Sequence, residues 1–137
     1  MQTRTASCSC GQLQIQVAGE PLGTGICHCL ACQRRTGSVF ATLAAFAPPW
    51  RVTGNATEYA HVGDHGSHYI FRFCPVCGSS VFHTETGRED THVMVAVGAF
   101  ADPNFPPPGD SIYDKRRHSW VELPPGITTC AEDPDYP

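Results

Sequence analysis

Cys27-His28-Cys29-Leu30-Ala31-Cys32 sets three thiols within six residues, and Gln33-Arg34-Arg35-Thr36-Gly37 follows with two arginines and a glycine. Two more groups of the same density flank it: Cys8-Ser9-Cys10-Gly11 upstream and Phe73-Cys74-Pro75-Val76-Cys77-Gly78 downstream. Seven of the eight cysteines in the 137-residue chain fall into these groups, and only Cys130 stands apart. The cysteine content lies below the roughly 8–10% of a small disulfide scaffold. The N-terminal stretch MQTRTASCSCG has no apolar run of the secretory type, so the expected address is cytoplasmic and the thiols are expected to stay reduced. Clustered reduced cysteines at these spacings read as metal ligands.

Zinc takes four ligands in structural sites, and three protein ligands plus one exchangeable position in catalytic ones. Cys74-x-x-Cys77-Gly78 is a knuckle: two thiolates on a tight turn, with a glycine where a left-handed conformation is needed. It supplies half of a four-thiolate site, and Cys8-x-Cys10 is its natural complement. Cys27, Cys29 and Cys32 face one metal if the chain turns sharply after Cys29, which leaves one position. That position is open, the mark of a catalytic or substrate-binding zinc, or it is closed by Cys130 or a histidine. His28 is the nearest histidine, but it lies between two ligands with its side chain expected to point the other way. The remaining histidines read as surface or hydrogen-bonded core residues.

Around the cysteines the chain is turn-rich, with 13 glycines and 12 prolines. Gln12 to Val17 alternates, with Leu13, Ile15 and Val17 on one face, as a half-buried strand does. Leu22–His28, Val39–Phe46, His68–Phe73, Ser80–Thr84, Thr91–Val97 and Ser111–Tyr113 read as further strands, and Glu58–His61 as a weak one. Leu30–Thr36 is a short helical turn stopped at Gly37. Seven or eight short strands predict an all-β, β-dominated domain over residues 1–124, followed by an acidic, proline-rich tail over 125–137. The apolar run Val39–Trp50 is too short for a membrane span of roughly 20 residues. Net charge −4 and a pI near 5.9 argue against a nucleic-acid partner.

Three thiolates on Zn2+ leave a net charge of −1, so adjacent cations offset charge and hold an anionic substrate. Arg34 and Arg35 closely follow the last ligand of the second group, and we read them as substrate-binding residues, with a solvated surface pair as the alternative. Lys115-Arg116-Arg117 invites the same reading, with a solvated turn as the alternative.

The order C-x-C, C-H-C-x-x-C-Q-R-R-T-G, F-C-P-V-C-G and the late Trp120 resembles the glutathione-dependent formaldehyde-activating enzyme family, which includes centromere-protein-V-like proteins. The resemblance runs from about residue 6 to about residue 124. It implies a β-tent, Mss4-like fold of small antiparallel sheets around two zinc ions per chain. Cys8, Cys10, Cys74 and Cys77 match the structural set, and Cys27, Cys29 and Cys32 match the reactive, catalytic set. The activity it implies is that of a carbon–sulfur lyase, the S-(hydroxymethyl)glutathione synthase reaction: a thiolate, of glutathione or a similar thiol, adds to a small aldehyde such as formaldehyde. The alternative is a non-catalytic zinc module that binds a protein or a thiol metabolite. Many relatives carry a His-Ile-x-x-x-x-Lys-x-x-Trp-like segment, whereas Ser111 stands at its first position here.

Overall fold

The computed structural model describes residues 1–134, so the last three residues of the expected tail lie outside it. In chain order the strands are β1 (Thr3–Ser7), β2 (Gln14–Ala18), β3 (Gly23–Cys27), β4 (Ala41–Phe46), β5 (Arg51–Thr53), β6 (Thr57–Val62), β7 (His68–Phe73), β8 (Ser80–Glu85), β9 (Val93–Ala96), β10 (Asp110–Ile112) and β11 (Thr128–Thr129). One α-helix, α1 (Leu30–Thr36), follows β3. The chain is therefore β-dominated. It divides into two units, one holding Met1–Leu22 and Ala44–Pro103, the other Gly23–Leu43 and the chain from Asn104 on.

In the first unit the alternation read around Leu13 becomes β2, whose Ile15 and Val17 are fully buried together with Leu13. β2 pairs antiparallel with β1 on one side (Ala6 opposite Ile15) and with β5 on the other (Ile15 opposite Val52). Neither neighbour was legible beforehand. β1 has one buried residue, the small Ala6, and β5 has none, so neither shows hydrophobic periodicity. A second antiparallel meander runs β6-β7-β8-β9, with Tyr59 opposite Phe71, Phe71 opposite His83, and His83 opposite Met94. β6 is six residues long rather than a marginal strand, although its side chains are almost all exposed. Its ladder with β7 holds it, along with the ion pair of Arg72 with Glu58 at 3.3 Å. The core of this unit is Leu13, Ile15, Val17, Phe46, Val81, Val93 and Val95. The meander ends β7 at Phe73 and so delivers Cys74 to the loop that follows.

In the second unit β3 pairs with β10 in parallel (Ile26 opposite Ser111, Cys27 opposite Ile112), and β11 lies parallel to β10 on its other side. The backbone of the expected tail is thus bonded to the rest of its unit. The Cys130 amide donates to the Ser111 carbonyl at 2.8 Å, and the Cys130 carbonyl accepts from the Asp114 amide at 3.0 Å. Helix α1 ends where expected, at Gly37 in the left-handed conformation with φ 71°. Cys27, Cys32 and Ala41 form the small core of this unit, with Cys29, Ile112 and Tyr113 against them. None of the described helices is long and apolar enough to cross a membrane.

Candidate metal centres

In the first unit, the hairpin of β1 and β2 brings Cys8 and Cys10 to the knuckle Cys74–Cys77, and the four sulfurs lie within 4.8 Å of one another. Four sulfurs placed tetrahedrally about 2.3 Å from one centre stand about 3.8 Å apart. Cys8 and Cys10 are 3.6 Å apart and Cys10 and Cys74 are 3.7 Å apart, so the donor set fits a tetrahedral soft cation.

The backbone aims N–H groups at these sulfurs, as thiolates require. The amides of Val76 and Cys77 point at Cys74 Sγ at 3.3 and 3.5 Å, and the Leu13 amide points at Cys8 Sγ at 3.3 Å. Gln12 donates through Nε2 to Cys74 Sγ at 3.0 Å. Its amide is clamped in turn by Asn55, whose N–H donates to Gln12 Oε1 at 2.9 Å and whose carbonyl accepts at 2.7 Å. Gly54 makes the clamp possible: its φ is +89°, and a Cβ there would stand 1.8 Å from the Gln12 carbonyl oxygen.

These contacts bear on the protons. The Ser79 hydroxyl, with the Ser79 amide, lowers the Cys77 pKa to about 5. Burial opposes ionisation of Cys74, but the Cys77 amide, the Gln12 side chain and the Val76 amide outweigh it and lower its pKa. The Gln12 backbone favours a Cys10 thiolate, yet desolvation and the thiols of Cys8, Cys74 and Cys77 push Cys10 up to about 11. Crowded sulfurs that cannot all carry charge alone are what a divalent cation satisfies.

In the second unit β3 ends at Cys27, and Cys29, extended with φ −60° and ψ 152°, caps α1 by accepting the Cys32 amide at 3.2 Å. One helical turn then returns Cys32, and the three sulfurs lie within 4.8 Å of one another. Among the described residues no fourth Cys, His, Asp or Glu joins this group. Hydrogen bonds from the Cys27 and Cys32 thiols hold Cys29 far below the ordinary thiol range, while those with Cys29 and Cys32 push Cys27 far above it. Three crowded sulfurs thus oppose one another's full ionisation. A divalent cation would release the rest of the protons.

Two candidates for the fourth position are placed elsewhere. His28 is fully buried, and its Nε2 lies 3.0 Å from Ser111 Oγ. Ser111 donates to Asp114 Oδ1 at 3.1 Å, so its oxygen accepts from a protonated Nε2. Burial, with Asp114 opposing it, lowers the His28 pKa and keeps the ring neutral. The ring ties the ligand loop to β10. Cys130 is half-buried and belongs to neither thiol group. Cys130→Ser should therefore leave the metal content of both sites at the wild-type value. Metal analysis of the variant checks this, and loss of one metal would assign the tail to the second site.

The two arginines read as substrate residues diverge. Arg35 is half-buried, and its guanidinium reaches Cys32 Sγ at 3.5 Å, whereas Arg34 is exposed. Sequence reasoning missed Gln12, Gln33 and His118, which reach residues 62 to 85 positions away, and Asp114, whose contacts with Ser111 and Arg117 span three positions but follow no motif. Gln33 Nε2 donates to the His28 and Arg116 carbonyls at 2.9 and 3.3 Å. Gln33 Oε1 accepts from His118 Nε2 at 3.1 Å.

The model of the glutathione-dependent formaldehyde-activating enzyme family matches residues 3–116. The chain belongs to this family. The match takes in both thiol groups and all of α1. No curated protein matches the chain. As a family member it carries two cysteine clusters able to bind metal ions.

Proposed function

We propose that this family member is a zinc-dependent carbon–sulfur lyase that joins a thiol, glutathione or a close analogue, to a small aldehyde such as formaldehyde. The observation that carries this reading is the three-thiol cluster of Cys27, Cys29 and Cys32, which no fourth ligand joins among the described residues. In this reading Cys8, Cys10, Cys74 and Cys77 hold a structural zinc. Cys27, Cys29 and Cys32 would hold a zinc ion, which would supply an exchangeable position and lower the pKa of a thiol bound there.

The chain's own residues do the rest. Cys29 combines two tasks, since its sulfur is both a donor of the cluster and the cap of α1. Arg35 places a cation on Cys32 and offsets the excess negative charge of three thiolates. Arg34, one residue earlier and exposed, faces solvent, from which an anionic substrate would arrive. The neutral His28, bonded to Ser111 and Asp114, fixes the segment from which Cys27 and Cys29 project. In the reaction the thiol sulfur adds to the carbonyl carbon, and the carbonyl oxygen takes up a proton to balance the one the thiol gives up. The product is a hemithioacetal.

Competition with a chelator tests the reading. On zinc-loaded protein, saturating glutathione should slow the release of one of two metals several-fold and leave the other unchanged. Carbon-13 NMR should show hemithioacetal forming faster than without protein. Metal release indifferent to glutathione would mark the chain as a non-catalytic zinc module.

A further inference from the structure

In the first unit β6 ends the meander: β7 pairs with one side of it, and among the described residues no strand pairs with the other. The ladder fixes what that outer side presents. Along an antiparallel strand, residues that exchange hydrogen bonds with the partner alternate with residues whose N–H and C=O point away from it. The Gly63 amide donates to the Ser67 carbonyl at 2.8 Å, and the His68 carbonyl turns away from β6 to accept the Thr86 amide at 2.8 Å. Gly63 thus bonds toward β7, and by alternation so do His61, Tyr59 and Thr57. Glu58, Ala60 and Val62 direct their N–H and C=O groups outward, and among the described residues no turn or loop bonds them.

Edges that must stay single are blunted by proline, lysine or a bulge. β6 reads Thr-Glu-Tyr-Ala-His-Val and pairs with β7 without a register shift, so it has none of these. Its one carboxylate, on Glu58, is paired with Arg72. Tyr59 is 57% exposed and Val62 is 55% exposed. The strand is also complementary to itself. A two-fold axis perpendicular to a sheet keeps each face of one copy level with the same face of the other, so Glu58, Ala60 and Val62 meet one another. With the axis at Ala60, Ala60 meets its own copy and Glu58 meets Val62, which pairs every outward group of β6. On the opposite face Tyr59 then meets His61. Within one chain Tyr59 already stands opposite Phe71 and His61 opposite Tyr69, and the Tyr59 and His61 rings stack at 6.3 Å. The same register therefore carries aromatic rows across the junction: Phe71 and Tyr59 of one copy, then His61 and Tyr69 of the other.

We propose that the outer edge of β6 is the interface of a homodimer, in which two copies pair their β6 strands antiparallel about Ala60 and the meander runs on from one chain into the other. The partner is a second copy of this chain because one register satisfies the outward backbone groups, the aromatic rows and the two-fold symmetry together. No two like charges meet within the paired strands. Cross-strand aromatic pairs of this kind stabilise a sheet. A single strand edge is a small interface, so the dimer forms reversibly as the concentration rises. The thiol clusters take no part in it.

Sedimentation equilibrium on the zinc-loaded full chain, from micromolar to millimolar concentration, tests the interface. Wild type should show monomer and dimer in exchange. Ala60→Lys and Ala60→Glu each set like charges opposite one another at the axis and should weaken the dimer at least about fivefold. Circular dichroism and metal content should stay at the wild-type values, because residue 60 is exposed. An equimolar mixture of the two variants should regain the dimer, since the substituted side chains then attract across the axis. A wild type that stays monomeric at millimolar concentration would overturn the proposal and leave the edge to a different partner. A dimer that neither variant weakens would place the contact elsewhere on the chain and overturn it too. Variants that are monomeric alone and stay so when mixed would overturn the pairing about Ala60.

Discussion

Cys74→Ser is expected to leave the first unit unfolded or molten at 25 °C, with loss of one metal per chain. Cys74 is fully buried at the centre of its site. Its sulfur accepts the Val76 amide at 3.3 Å and the Gln12 side chain at 3.0 Å and lies 3.7 Å from Cys10. A serine oxygen is shorter and harder, and at neutral pH it keeps its proton, so the site falls to three donors. Structural zinc sites supply apparent folding free energies of about 10–16 kcal/mol in small metal-dependent peptides. A whole domain is stable by only about 5–15 kcal/mol. The cores here are small, and β1 contributes only Ala6 to burial, so the tether from Cys8 and Cys10 to Cys74 and Cys77 carries much of what fixes β1. Circular dichroism, thermal melts and metal analysis read the effect. A variant with wild-type melting and full metal content would show that the four-thiol cluster is not structural.

Cys29→Ser is expected to have the opposite signature: one metal lost, thiol binding weakened at least a hundredfold, and secondary structure retained. Cys29 has two roles that the substitution separates. As a donor it is one of three sulfurs within 4.8 Å of one another, and two remaining thiolates do not retain a metal against a chelator. As the cap of α1 it accepts the Cys32 amide at 3.2 Å, and serine is among the best residues for that task. The helix and its stop at Gly37 should therefore persist, whereas alanine would also cost about 1 kcal/mol of capping. The readouts are metal content, helical and strand circular dichroism, and the glutathione protection described above. Collapse equal to that of Cys74→Ser would make both metals structural. Retained thiol protection would remove Cys29 from the substrate site.

Groove-like features elsewhere do not compete with this assignment. A cavity of about 350 Å³ in the first unit is lined by Trp50, Val52, Glu58, Arg72, Phe82 and Glu89, among others. Its central cation, Arg72, is already bound to Glu58 at 3.3 Å and Thr84 at 2.7 Å and stacks over Phe82.

Much of the architecture was legible in the chain because it rests on local signals. Alternation around Leu13, Ile15 and Val17 marks β2. Tyr69, Phe71 and Phe73 mark one face of β7, and Gly37 marks the end of α1. The two thiol groups were likewise legible, since the C-x-C and C-x-x-C spacings are fixed by chain geometry over a few residues. The strands that went unread are short and carry few buried side chains: β1, β5 and β11 exist because a partner offers them a ladder. No local pattern announces that.

The sequence by itself determined which residues can be soft metal donors, how they group, and that short strands dominate the fold. The strands and the local spacings depend on neighbours within a few positions, and the pairing of Cys8-x-Cys10 with Cys74-x-x-Cys77 on the four ligands that a structural zinc needs. Only the tertiary structure decided that Arg35 reaches a sulfur while Arg34 faces solvent. It alone gave His28, already expected to point away from the thiols, its partner Ser111, left Cys130 out of both clusters, and set Gln12 beside Cys74. The contacts of Gln12, Ser111 and His118 join residues 62 to 85 positions apart. Such contacts are fixed by how strands register and pack, which the order of residues along the chain specifies only through the whole fold.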